Sequence, residues 1–106
     1  MNRLQCEESF EKVLTERELK AVTVNQYGSV LWLVVDLHEF GTIDAKRLIN
    51  NLIALVRGSF EFVIIHGYHH GTAIKEMVQA TNWGSRVIYK VVPDYNPGET
   101  IMRVAA

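Results

Sequence analysis

The run V-L-W-L-V-V-D-L at residues 30–37 constrains the fold of this chain more than any other feature. Its apolar residues are nearly continuous, and valines and an aromatic residue make it typical of a strand. Such runs are characteristic of strands with parallel neighbours, because helices then cover the sheet. We therefore expect this segment to lie centrally in a sheet.

A helix and a second strand are predicted to follow. The run F-E-F-V-I-I at residues 60–65 is too short for a helix and predicts another buried strand. A β-α-β connection within one sheet is right-handed and leaves its two strands parallel, so their carboxyl ends meet at one edge. The apolar residues that predict the connecting helix, which ends near Gly58, are Ala45, Leu48, Ile49, Leu52, Ile53 and Val56.

Polar side chains occur where both predicted strands end. Asp36 and His38 are two residues apart, so they share one face of the first strand. His66 directly follows the second strand. Because neighbouring strands lie about 4.8 Å apart, these three side chains could share one substrate group. The sequence predicts a functional site at this edge of the sheet, whereas the structural alternative is that Asp36 and His38 only cap the strand end.

The segment H-G-Y-H-H-G at residues 66–71 joins the second strand to a second predicted helix. Thr72 is a suitable N-cap residue, and Ile74, Met77 and Val78 then recur at helical spacing. Unpaired N–H groups at a helix start attract anions, and glycines allow backbone to approach a ligand, so a phosphate would fit here. A tight turn with solvated histidines is the alternative.

The remaining segments predict further elements. Residues 87–92 and 100–104 should form an antiparallel hairpin around the turn-rich residues 93–98, after a helix exit in which Gly84 is left-handed. Residues 7–20 predict a helix that packs on the domain or docks on a partner. Residues 22–24 alternate like a short strand whose pairing the sequence does not indicate.

Composition limits the class of protein. With 106 residues, 48% of them hydrophobic, the chain is sufficient for one domain. Its 11 basic and 12 acidic residues exclude a broad basic surface, so phosphate recognition must be local or depend on the four histidines. Cys6 is the only cysteine, which excludes an internal disulfide and favours a reducing compartment. Without an apolar signal core or a bilayer-length apolar run, we expect a cytoplasmic protein with no membrane association.

Four motifs in fixed order resemble the Smr (small MutS-related) domain over about residues 30–104. They are D-L-H at residues 36–38, H-G at residues 66–67, Gly71 before the second helix and G-E-T at residues 98–100. The resemblance implies an α/β protein, an α+β two-layer sandwich similar to the C-terminal domain of translation initiation factor three. Its β-α-β-α-β-β order gives a four-stranded mixed sheet with two helices on one face. Residues 30–106 would form this domain, and residues 1–29 an N-terminal helical arm and turn.

The resemblance also implies a function. Smr domains include endonucleases that nick DNA or cleave RNA, some attached to MutS-like proteins and some acting on stalled ribosomes. The implied partner is nucleic acid, DNA or RNA, with the ribosome as a further candidate. In the implied mechanism His38 or His66 takes a proton from water or a ribose hydroxyl, and Asp36 orients an imidazole. The implied catalytic residues are Asp36, His38 and His66, and the implied substrate-binding residues are Gly67, Tyr68, His69, His70, Gly71, Thr72 and Lys75.

Three departures from the family pattern favour an alternative, a non-catalytic module that binds nucleic acid or ribosomes. Glu39 stands where the family has glycine, the middle glycine of H-G-x-G-x-G is missing, and Lys75 represents the usual basic residue. In such a module Tyr68 would stack on an unpaired base. No cofactor is required by the sequence. A divalent metal stays open because the ligand types Asp36, His38, His66, His69 and His70 are present without a tight metal-binding spacing.

Overall fold

The structure, a computed structural model, describes residues 1–67 and 72–106. Within them the chain forms a five-stranded mixed sheet in the order β1-β2-β3-β5-β4 and four helices. The two-layer α/β class predicted from the sequence is confirmed. The elements are α1 Arg3–Val13, α2 Glu16–Ala21, β1 Val22–Tyr27, β2 Val30–Asp36, α3 Thr42–Leu55, β3 Phe60–Ile65, α4 Ala73–Ala80, β4 Val87–Val91 and β5 Glu99–Val104.

The central β2-α3-β3 unit has the arrangement that the sequence predicts. β2 and β3 are parallel neighbours, with Trp32 opposite Glu61 and Asp36 opposite Ile65. β5 is antiparallel to β3 and also to β4, so the predicted C-terminal hairpin is confirmed. Gly84 has the predicted left-handed conformation, with φ +103°.

The prediction of four strands is wrong, because β1 adds a fifth at the edge next to β2. The two-residue turn Gly28-Ser29 joins the paired residues Tyr27 and Val30, and Gly28 has φ +63°. Glycine in the first position of a two-residue hairpin turn matches the twist of the flanking strands. The turn therefore fixes the register in which Val24 lies opposite Leu33 and is buried.

The predicted helix at residues 7–20 is two helices. Thr15 is the N-cap of α2, where its hydroxyl accepts a hydrogen bond from the Glu18 N–H while the Glu18 side chain accepts one from the Thr15 N–H. This reciprocal pair starts a new helix and so redirects the chain after α1. Cys6 and Phe10 of α1 belong to the buried core. The division of the chain into an N-terminal arm, residues 1–29, and a domain, residues 30–106, stays a prediction.

All four helices pack on one face of the sheet. On β3 the buried residues are Phe60, Phe62 and Ile64, and on β2 they are those at odd positions from Leu31. In the described part of the chain no helix covers the opposite face, which carries the partly exposed members of each strand. Among the described residues, no helix combines the length and the hydrophobicity needed to cross a bilayer.

Arg86 ties the end of α3 to the C-terminal strand. Its guanidinium donates hydrogen bonds to the carbonyls of Ile53, Val56, Gly58 and Ala105, at 2.6 to 2.9 Å. The carbonyls of the last helical turn have no partners within the helix and carry the negative end of the helix dipole. One cation therefore satisfies several backbone acceptors.

We expect Arg86→Ala to lower the free energy of unfolding by about 2 kcal/mol, since charged hydrogen bonds are lost and partly buried carbonyls lose their donor. Urea unfolding followed by circular dichroism measures the change. Arg57→Ala, which removes an exposed arginine, is the matched control and should change the unfolding midpoint little. Equal effects of the two substitutions would contradict this role for Arg86.

Candidate functional site

Asp36 and His38 form a hydrogen-bonded pair where β2 ends. The His38 Nδ1 atom lies 2.6 Å from Asp36 Oδ1, and the His38 backbone N–H donates to the same oxygen at 3.1 Å. A carboxylate oxygen only accepts, so Nδ1 carries a proton and Nε2 is the free ring nitrogen when His38 is neutral. Asp36 thus caps the strand end through the backbone N–H of His38, as the structural alternative predicted, and it also orients the His38 imidazole.

His38 is exposed, and its surroundings favour the protonated imidazole. Its side chain is 64% exposed. The hydrogen bond that His38 donates to Asp36 is the main cause that raises the pKa of His38 above its ordinary 6.5, and the negative charges of Asp36 and Glu39 add to it. An exposed imidazole that a carboxylate orients can accept or donate a proton during a reaction.

His66 has a different environment, because it is only 6% exposed. Its Nδ1 lies 2.9 Å from the Gly67 carbonyl oxygen, which requires the proton to be on Nδ1. Nε2 then accepts a hydrogen bond from the Thr100 hydroxyl at 2.9 Å, and that hydroxyl accepts one from the Gln79 amide at 3.0 Å. Burial is the main cause that lowers the pKa of His66, which favours the neutral ring.

The expectation that the three side chains converge on one group is wrong for His66. Because Asp36 lies opposite Ile65 in the parallel register, the two share a face of the sheet, and His66 is on the other face together with Leu37. Leu37 and His66 are both buried on the helical side. The shared edge is confirmed, but only Asp36 and His38 come together there, and His66 uses both nitrogens in the interior.

An open cleft of about 370 Å³ lies beside the Asp36–His38 pair. Sequence reasoning missed that α2 forms one wall of it, through Arg17 and Lys20. The Arg17 guanidinium lies 4.1 Å from the centroid of the Phe40 ring and donates a hydrogen bond to the Glu39 carbonyl. The pattern T-E-R-E at residues 15–18, which starts a helix, could have placed these cations at a new helix rather than at the end of a long one.

Carboxylates balance the cations of this cleft. Glu39 Oε1 lies 3.6 Å from His38 Nε2, and Glu16 Oε1 lies 3.6 Å from Lys20 Nζ. Both carboxylates are highly exposed, so their ion pairs contribute little energy and open easily. A phosphate in the cleft would have to displace Glu39 from His38.

The start of α4 is less suited to an anion than the sequence suggests. Thr72 occupies the predicted N-cap position, but its hydroxyl donates to Glu76 Oε1 at 2.8 Å and does not cap the helix. Glu76 therefore places a carboxylate in the first turn. Lys75 is close enough to His66 to help lower its pKa. Gly67 has φ +72°, whereas Tyr68, His69, His70 and Gly71 lie outside the described residues.

The described residues offer no cluster of metal ligands. Within residues 1–67 and 72–106, no three His, Cys, Asp or Glu side chains are grouped so that they could hold a metal ion. His69 and His70, two of the ligand types noted in the sequence, lie outside that range. Asp36 and His38 therefore form a hydrogen-bonded acid-base pair in the described part of the chain.

Comparison with known proteins found no matching family model, no similar curated protein and no similar solved structure.

The two described histidines should titrate on opposite sides of their common unperturbed pKa of 6.5. We expect the ring resonances of His38 to titrate above that value and those of His66 below it in NMR spectra recorded against pH. Asp36→Asn should move the His38 midpoint down toward 6.5, because it removes the main cause of the shift. Asp94→Asn, at an exposed loop carboxylate, is the matched control, and a His38 midpoint that ignores Asp36→Asn would contradict the pairing.

Proposed function

We propose that this chain is a nucleic-acid-binding protein of the Smr type that cleaves or nicks phosphodiester bonds in RNA or DNA. The observation that carries the proposal is the Asp36–His38 pair, 2.6 Å apart, at the D-L-H motif and beside an open cleft. Ribosome-bound RNA in the cytoplasm is one setting that the resemblance suggests.

In the proposed reaction, neutral His38 takes a proton through Nε2 from water or from a ribose hydroxyl that attacks the phosphorus. Asp36 holds the tautomer in which Nε2 is the acceptor and stabilises the imidazolium that forms. The imidazolium then returns a proton to the leaving oxygen. Proton balance is preserved, and the reaction ends with His38 neutral again.

The environment of His66 supports a structural part for this residue in the proposal. A buried imidazole that bonds Gly67 and Thr100 holds the H-G turn against β5. That contact would fix the strand edge from which the loop to α4 departs. His66 is thus a positioning residue rather than a second acid or base.

Cations near the pair would bind the phosphate backbone. Arg17 and Lys20 line the cleft, and Lys75 stands in the first turn of α4. Their number is small, and Glu16 and Glu39 oppose them. The proposal therefore requires moderate affinity and a substrate held mainly by local contacts.

The second candidate is a non-catalytic module that binds nucleic acid or ribosomes. The position of Glu39 favours it, because its carboxylate lies 3.6 Å from Nε2, the His38 nitrogen that does not contact Asp36, and would repel phosphate. Incubating the purified chain with structured RNA, single-stranded RNA and supercoiled DNA, with and without chelator, separates the two. Cleavage supports the enzyme, whereas binding without cleavage supports the module.

If His38 moves the proton, Asp36→Asn and His38→Ala should each lower the single-turnover cleavage rate about 100-fold or more while nucleic-acid affinity changes little. Lys75→Ala should weaken binding by a salt-dependent factor, since it removes charge that ground state and transition state both feel. Quenched-flow cleavage and filter binding measure the two effects separately.

Matched controls for these variants lie away from the cleft. Asp94→Asn repeats the carboxylate-to-amide change in an exposed loop, and Lys46→Ala repeats the loss of a lysine on the exposed side of α3. Both should cleave and bind like the wild type. Wild-type cleavage by Asp36→Asn would show that catalysis lies elsewhere or that the activity belongs to a contaminant.

The nearly balanced charge of the chain predicts a shallow salt dependence of binding. Because few phosphates can be neutralised, we expect the logarithm of the association constant to fall with the logarithm of salt concentration with a slope of about −2 to −4. Fluorescence anisotropy at several salt concentrations measures it. A slope of about −8 would contradict the prediction, because it would require a large basic surface.

A further inference from the structure

The face of the sheet away from the helices carries a continuous apolar row. Residues that are paired across strands point to the same side, so the registers of β2, β3, β5 and β4 align one residue from each strand. The row consists of Val34, Val63, Ile101 and Val91, which we call the apolar row. Val91, the last residue of β4, is 48% exposed.

A second row lies beside the apolar row toward the start of β2. It consists of Trp32, Glu61, Arg103 and Tyr89, which we call the Arg103 row. Arg103 Nη1 lies 2.7 Å from Glu61 Oε1, and the Tyr89 hydroxyl lies 3.3 Å from Glu61 Oε2. The two charges of the Arg103 row are therefore paired with each other, and two large aromatic side chains flank them.

The third row, on the other side of the apolar row, is acidic. It consists of Asp36, Ile65 and Glu99, which we call the acidic row. The face thus has an apolar centre, a row with one arginine on one side and a row with two carboxylates on the other. One end of the face is therefore acidic, and the other end carries an arginine that is paired with a glutamate.

We propose that this face is the interface of a homodimer, in which a second copy of the chain packs its sheet face to face on the first. The proposal goes beyond the nucleic-acid function and does not depend on it. The two-fold axis would run along the apolar row, so that each apolar row packs on its counterpart. Aligned sheets pack in this way about 10 Å apart, with strands within about 30° of each other.

Charge decides between the two ways to place such an axis. If the axis ran parallel to the strands, each acidic row would face the other acidic row, and like charges would be buried together. If it runs along the apolar row, the order of strands is kept and strand direction is reversed, so Arg103 of one copy faces Glu99 of the other. Both copies then make this contact, because a two-fold interface is isologous.

The same charges argue against nucleic acid on this face. Arg103 is the only cation in the three rows, and Glu61 neutralises it. Glu99 adds negative charge on the β5 side of the face, away from the Asp36–His38 pair, so a polyanion would be repelled there. The aromatic residues Trp32 and Tyr89 would otherwise suit stacking on bases.

The size of the face is sufficient for a dimer of moderate affinity. Five strands about 4.8 Å apart and six residues long cover about 500 Å² in each copy, and about 1,000 Å² is the lower limit for a specific interface. The net charge of −1 opposes association of two copies very little. We therefore expect a dissociation constant on the order of 10 µM.

Sedimentation velocity on the full chain, from about 1 µM to several hundred µM, tests the proposal. The 12.1 kDa chain should pass from monomer to dimer over this range. The double variant Val63→Thr with Ile101→Thr keeps a β-branched side chain at both positions but places hydroxyls in the apolar row. It should raise the dissociation constant about 30-fold. Ile43→Thr, at a residue 76% exposed at the start of α3, is the matched control and should not change it.

A charge reversal tests the orientation independently and serves if the double variant fails to fold by circular dichroism. Glu99→Arg sets an arginine against Arg103 of the second copy and should raise the dissociation constant about tenfold or more, most strongly at low salt. Glu11→Arg, on the exposed side of α1, is its matched control.

Three outcomes overturn the proposal. The wild type could remain monomeric at several hundred µM, or the folded double variant could associate as tightly as the wild type. Alternatively, the wild type could remain monomeric while the double variant loses affinity for single-stranded RNA, which would assign the face to nucleic acid. An unchanged dissociation constant for Glu99→Arg overturns the axis along the apolar row.

Discussion

The parallel pairing of β2 with β3 determines which faces of the sheet Asp36, His38 and His66 occupy. Its register sets Leu33 opposite Phe62 and Asp36 opposite Ile65. Since paired residues share a face, this register sends Leu37 and His66 into the core and leaves Asp36 on the uncovered side. A shift by one residue would exchange the two sets and bury the carboxylate, so the buried Leu33–Phe62 contact also maintains the accessibility of the Asp36–His38 pair.

The sequence predicts the β2-α3-β3 unit and the hydrogen-bonded pair well because both depend on short-range patterns. Side chains two residues apart in a strand share a face whatever the strand's neighbours, and the Asp36–His38 contact depends on little else. The error over His66 has a physical cause. The shared edge follows from strand direction, whereas the shared face depends on the relative phase of the two strands, which strand direction does not determine.

That phase was available in the sequence. Glu61 is the one charged residue in the run at residues 60–65, and a charged side chain in a strand favours the uncovered face. Counting from Glu61, His66 falls on the covered face, as observed. The strand at the N-terminal edge was similarly marked by Gly28-Ser29, which is a suitable two-residue turn, although Asn25 and Gln26 hide the apolar alternation. By contrast, nothing local indicates that α2 would wall the cleft, since that contact joins residues far apart in the chain.

Asp36 belongs both to the Asp36–His38 pair beside the cleft and to the acidic row of the proposed dimer interface, so it couples the two. In the proposed dimer, the two-fold axis along the apolar row reverses β2 on β2, which brings Asp36 over Trp32 of the second copy. An indole placed there would remove water from the carboxylate without offering it an ion pair, and desolvation raises the energy of a charged carboxylate unless a cation is near. Protonated His38 is that cation, at 2.6 Å. Association would therefore strengthen the hydrogen bond between Asp36 and His38 and raise the pKa of His38 further. The oligomeric state of the chain and proton transfer by His38 would then be linked.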